Sequence, residues 1–165
     1  MVTERESIFS IQFSDNDGTL YGRLNFSDVL STPQGLGCCD FHKPSQNLVN
    51  AFKTDADGLP LIGAAVDGSA DTYNKEDISN DQGLKFSEAF TLDNTVSVDT
   101  RLDWTVGRRG VNFLDWGKMP GSSWVRDQLY GGPFTGKKWM YYVGEENSTT
   151  HATDRRSVNN NFRLL

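Results

Sequence analysis

Two acidic turns, one glycine-rich run, an adjacent cysteine pair and a set of aromatics have types and spacings that bear on chemistry. Asp15-Asn16-Asp17-Gly18 and Asp55-Ala56-Asp57-Gly58 each place carboxylates two apart before a glycine, as calcium loops do. With each glycine at the sixth loop position, Phe13 or Lys53 falls first and Leu24 or Ala64 twelfth, where Asp and a bidentate Glu are needed. Both stretches therefore read as plain turns. Gly131 to Lys138, GGPFTGKK, matches a phosphate loop up to its last residue, where Lys138 replaces the hydroxyl that holds magnesium. Pro133 also removes one of the backbone N–H donors such a loop must present.

Cys38 and Cys39 are adjacent, which suits neither a disulfide framework nor the spaced pairs of a zinc site. Two buried thiols are expected, with a disulfide to another part of a longer chain as the alternative. His42 and His151 are the two histidines, and no G-x-S-x-G elbow accompanies them. Most acidic residues are Asp beside Gly, Asn or Ser, a turn signature, although a carboxylate pair for glycoside cleavage stays open because sequence does not show distance. Asp99, Asp103 and Asp115 lie near Arg101, Arg108 and Arg109, so structural ion pairs are expected there. The remaining signal is aromatic: among four Trp, five Tyr and ten Phe, Phe41, Tyr73, Trp116 and Trp124 stand in loop or loop-adjacent contexts. Aromatic faces pack on the C–H faces of sugar rings, and core packing is the competing role for each.

The elements that must position these groups are short. At 165 residues, 36% apolar with 16 glycines, the chain fits one loop-heavy domain with a thin core. A net charge of −6 argues against nucleic acid, which demands a basic face. No apolar run approaches the roughly 18 residues of a membrane span, and MVTERESIFS lacks the regions of a signal peptide. Ser7 to Phe13 reads as a strand followed by the DNDG turn, and the Gly-, Ser- and Thr-rich stretch through Tyr21 and Phe26 to Gly37 as an ordered loop. Ser45 caps a short helix that sets Leu48, Val49 and Phe52 on one face, and TDADG ends it. Asp77 to Gln82 is the favoured helical turn of the polar middle. Arg101 to Val106 reads as a second strand, and Ser122 or Ser123 caps a second helix containing Trp124, Val125, Gln128 and Leu129, stopped by Gly131-Gly132-Pro133. Lys138 to Val143 reads as a third strand. After the polar run HATDRRSVNNN, Asn161 to Leu165 looks like the first turn of an amphipathic helix, which suggests a piece of a longer protein.

Taken in order, several blocks resemble one family. They are Cys38 to Phe52 (CCDFHKPSQNLVNAF) with Asp57-Gly58-Leu59-Pro60, Val98 to Gly110 (VDTRLDWTVGRRG), Leu114-Asp115-Trp116-Gly117, Trp124 to Gln128, and Gly131-Gly132-Pro133-Phe134 leading to Lys137-Lys138. Together they are similar to the SusD/RagB family of outer-membrane nutrient-binding lipoproteins, over about Ser7 to Leu165. One departure is Asp99-Thr100-Arg101-Leu102, where members usually carry Asp-Pro-Arg-Leu, so one rigid turn is relaxed while Arg101 and Asp103 remain.

The resemblance implies an extracellular protein at the outer membrane that sits on a SusC-like TonB-dependent transporter and hands it oligosaccharide or a related nutrient, without catalysis. It implies no cofactor and no metal. The lipid anchor would lie upstream, and neither Cys38 nor Cys39 is expected to be that anchor. Residues 1–165 are then a single segment, α+β and loop-rich, the non-tetratricopeptide part of a SusD-like α-helical fold lacking its flanking helices. The ligand contacts expected from loop context are Phe41, His42, Tyr73, Trp116 and Trp124. Two other readings stay open: a glycoside hydrolase module, and a segment serving mainly as a transporter contact with ligand bound elsewhere.

Overall fold

The computed structural model describes residues 9–11, 32–37, 39–61, 73–138, 140–145, 150–151, 156–157 and 162–164. Among them the chain is mixed and loop-rich, an arrangement compatible with the α+β class. The Asp15–Gly18 turn, most of the stretch from Tyr21 to Gly37, and Cys38 lie outside the described residues.

Strand β1, Phe9–Ile11, falls within the expected first strand. It pairs antiparallel with a strand at the far end of the chain, β6, Phe162–Leu164, with Phe9 opposite Leu164. The expected helix there is thus corrected to a strand. Phe162 and Leu164 flank Arg163, and that alternation serves a strand as readily as a helical turn.

Helix α1, Gln46–Asn50, forms where expected, because the Ser45 hydroxyl accepts from the Leu48 amide at 3.1 Å. Val49 is buried, while Leu48 is exposed. The polar side of this helix organises the middle of the chain. Gln46 Nε2 donates to Asn50 Oδ1 at 2.9 Å and to the Ile78 carbonyl at 3.1 Å. Asn50 Nδ2 reaches Asp77 Oδ1 at 2.8 Å, and the Ile78 amide donates to Asn50 Oδ1 at 3.0 Å. These bonds leave 77–80 without regular structure and correct the helical turn expected over Asp77 to Gln82, since side chains of α1 take the backbone groups that a helix would use. The TDADG turn does follow α1: Asp55 Oδ1 accepts from the amides of Asp57 and Leu59, and Gly58 supplies a φ of 81°.

The strand expected over Arg101 to Val106 is instead helix α2, Leu102–Thr105, followed by β2, Val106–Gly107. Asp99 is the reason. Its carboxylate accepts from the Arg101 amide at 2.8 Å and its carbonyl from the Leu102 amide at 2.9 Å, which starts a helical turn. Helix α3, Gln128–Gly131, is shorter than expected and is capped by Asp127 Oδ1 accepting from the Tyr130 amide, not by Ser122 or Ser123. Strand β3, Thr135–Gly136, pairs antiparallel with β2. Among the described residues of Lys138 to Val143 the expected strand does not form, and Val143 opens a 3-10 turn, Val143–Glu145. Trp116 Nε1 donates to the Tyr141 carbonyl at 2.8 Å and the Val143 amide donates to Asp115 Oδ1 at 2.9 Å, so side chains of one turn take groups a strand partner would need. Strands β4, Thr150–His151, and β5, Arg156–Ser157, form a further antiparallel pair.

Two small apolar clusters flank the β2–β3 ladder. Val49, Ile78, Leu102, Val106 and Phe134 form the first, and Leu36, Phe113, Met119 and Val125 the second. Each such side chain contributes about 1.5–3 kcal/mol on burial. Gly107 lets the clusters close on the ladder: a Cβ there would stand 2.6 Å from both Phe113 Cε2 and Thr135 Cγ2.

Candidate functional site

Asp40 is the hub from which the first candidate site is built. It is fully buried, with a φ of 47° that places it in the left-handed region. Its Oδ1 accepts from Thr135 Oγ1 at 2.6 Å, its Oδ2 accepts from the Arg126 amide at 3.0 Å, and Lys43 Nζ stands 3.6 Å from Oδ2. Burial pushes the Asp40 carboxyl above its ordinary range, against the lowering effect of Thr135, Arg126 and Lys43. Burial likewise pushes the Lys43 ammonium down, opposed by Asp40. Lys43 Nζ also donates to the Arg126 carbonyl at 2.8 Å. Three distant stretches of chain are thereby fixed at one carboxylate.

That clamp holds Phe41 outward, 54% exposed, with the Arg126 guanidinium 4.2 Å above its ring centroid. Tyr130, 92% exposed, and Asp127 complete the wall of a cavity of about 300 Å³ floored by Asp40 and Lys43. Gly131 gives the Lys43 side chain its room there, because a Cβ would fall 2.8 Å from Lys43 Cδ and displace it. The arrangement offers a ring face, a guanidinium donor, a phenol and a carboxylate around one opening.

The structure places the expected contacts in different settings. Phe41 lies in this cavity, and His42 is exposed beside it in sequence. Tyr73 is half-buried and does not line it. Trp116 and Trp124 pack against the second apolar cluster, Trp116 edge-on to Tyr141 and Trp124 edge-on to Phe113. Of the five, then, the structure brings only Phe41 to a cavity wall with Arg126 and Tyr130.

Sequence reasoning passed over Trp104, which is 63% exposed. In a strand, Leu102 and Trp104 share a face, and the buried leucine would carry the tryptophan inward with it. In helix α2 residues two apart point to opposite sides, so burying Leu102 turns Trp104 outward. The signal that could have found it was the Asp99-x-Arg101-Leu102 turn, which starts a helix.

The Arg–Asp contacts follow expectation with one correction. Arg101 pairs with Asp99, and Arg108 with Asp103 at 2.8 Å, whereas Arg109 pairs at 3.5 Å with Asp81 and not with Asp115. Arg109 also donates to the carbonyls of Phe86 and Glu88 at 2.9 and 2.6 Å, stapling that loop. The lysine of the apparent phosphate loop, Lys137, is buried and donates to the carbonyls of Asp103 and Asn112. Cys39 is disulfide-bonded, which corrects the buried thiol expected at that position; Cys38 lies outside the described residues. Among the described residues no helix is long and apolar enough to cross a membrane, and no three His, Cys, Asp or Glu side chains are grouped to hold a metal ion.

Compared with known proteins, the chain matches no family model and no curated protein.

Proposed function

We propose that this chain is a binding segment of a SusD/RagB-type protein, one that holds oligosaccharide or a related nutrient at the outer cell surface for delivery to a SusC-like TonB-dependent transporter. The sequence blocks from Cys38 to Lys138 support the family reading. The observation that supports the ligand class is the cavity under Phe41, where an exposed ring stacked by Arg126 adjoins Tyr130 and Asp127. A sugar ring can lie on the Phe41 edge or on Tyr130 while Arg126 and Asp127 bond its hydroxyls.

Affinity electrophoresis of the full chain against a panel of neutral and acidic polysaccharides tests the reading. Retardation on at least one glycan is expected, reduced at least about fivefold by Arg126→Ala, whose side chain is exposed and carries no core packing. Free mobility on every glycan would reject the ligand class.

One observation favours the hydrolase reading enough to test it alongside: Asp103 and Asp115 line the same cavity of about 280 Å³. Each is already committed, Asp103 to Arg108 and Asp115 to the Val143 amide. Binding without turnover is therefore the reading adopted, and sustained release of reducing ends from a retarded glycan would reverse it.

A further inference from the structure

Trp104 stands on the ridge between two cavities, one of about 410 Å³ and the other the 280 Å³ cavity of Asp103 and Asp115. The two differ in chemistry. The larger is walled by Leu48, Ala51, Phe52 and Pro60, and most of its polar neighbours are engaged within the protein: Lys53 donates to the Glu76 carbonyl, Thr54 Oγ1 lies 2.8 Å from Ser97 Oγ, and Arg101 is paired with Asp99. A bare hydroxyl set against these apolar walls would give up water for few partners, the cations Arg101 and Lys138 apart. The smaller cavity presents Asp103, Asn112, Asp115 and Tyr142, which can bond hydroxyls.

We propose that this groove binds an uncharged oligosaccharide carrying acyl groups, with one sugar ring on the exposed face of Trp104, its acyl group in the larger cavity and its hydroxyls in the smaller. The proposal rests on the glycan-binding reading above and narrows it to a substrate class. Charge favours the neutral ligand: on one side of Trp104 a uronic acid would meet Asp103 and Asp115 against Lys137, which is turned to backbone carbonyls, and on the other an amino sugar would meet Arg101 and Lys138 against Asp99, which is paired with Arg101. An amphipathic helix is a poor occupant, because its apolar stripe would have to continue past Trp104 over two carboxylates.

Isothermal titration of the full chain with acetylated xylo-oligosaccharide and with the same material after alkaline deacetylation provides the test. The acetylated form is expected to bind about tenfold more tightly, the size of effect a small apolar group has in a fitted pocket. Ala51 is exposed at the end of α1, so Ala51→Phe fills the larger cavity without touching the core and should erase the difference between the two forms. Trp104→Ala should weaken both forms, with circular dichroism unaltered. Equal affinities, a preference that survives Ala51→Phe, or no binding of either form would overturn the proposal. Continued retardation on other polysaccharides that depends on Arg126 would then show that the general reading stands without it.

Discussion

Asp40–Lys43 and Asp99–Arg101 are the same chemistry in two settings: a carboxylate and a cation two or three residues apart, each beside a cavity. In the first pair both side chains are buried, and removal from water outweighs the neighbouring cation, so the carboxyl is pushed up. In the second the arginine is largely exposed, and its hydrogen bonds hold the carboxyl down at about 2. Burial thus reverses the sign of the shift. It also reverses the role, because a buried carboxylate must be met by several donors and so ties distant segments together, while the exposed one shapes only its own turn. The Phe41 cavity inherits a rigid floor from its pair. The Trp104 groove inherits from its pair the helical turn that faces the indole outward.

The sharpest way to break this contrast is to remove Asp40. Asp40→Ala strands the Lys43 ammonium and the Thr135 hydroxyl in a buried position, and a loss of about 3–5 kcal/mol is expected in urea unfolding, as for other buried pairs stripped of one partner. Arg101→Ala should shift the unfolding midpoint far less, the arginine of that pair being largely exposed. If the two substitutions shifted the midpoint equally, burial would not be what separates the pairs.

A smaller effect is expected at the ladder joining the two regions. Gly107→Ala places a methyl 2.6 Å from Phe113 and from Thr135, the residue that donates to Asp40. Forcing these apart should cost about 1–3 kcal/mol, and it should loosen the Asp40 clamp more than the Asp99 turn. Amide exchange at Arg126 and Arg101 reports on each separately, since their amides donate to Asp40 and Asp99 respectively. Faster exchange confined to Arg101 would contradict the expectation.

Much of this was legible in the sequence where the cause is local. Ser45 capping α1 and the Asp55 turn depend on residues within four positions of each other, and both form as read. The misreadings come from long-range bonds that sequence does not display. Residues 77–80 are kept out of a helix by Asn50 and Gln46, and 141–143 out of a strand by Asp115 and Trp116. The same blindness affected the site. Trp116 and Trp124 stand among turn residues, yet packing across the second cluster claims them, while Trp104 sits in a stretch that alternates like a strand, Leu102-Asp103-Trp104-Thr105-Val106, and is left facing out. Phe41 is exposed, in keeping with its loop context, but Arg126, 85 positions away, gives no hint in the sequence that it stacks there.

The least disruptive test changes only pH, and the two carboxylates should answer it with opposite slopes. Asp99 has a pKa near 2 in the fold against 3.8 as its ordinary value, so the unfolded chain takes up its proton first. Its contribution is complete above pH 3.8 and is lost as pH falls from there toward 2. Asp40 is raised by burial, so the folded chain holds its proton longer. Its contribution is complete below 3.8 and is lost as pH climbs through the raised value. Thermal melting of the full chain between pH 2 and 7 should therefore show a shallower acid-side decline in Asp99→Asn and a shallower decline above pH 4 in Asp40→Asn. The effects are modest, because other carboxylates titrate in the same interval, and difference curves against the unsubstituted chain isolate each one. A difference curve for Asp40→Asn sloping the same way as that for Asp99→Asn would mean that Lys43 and Thr135 overcome burial at Asp40, and the contrast between the two regions would then be one of degree.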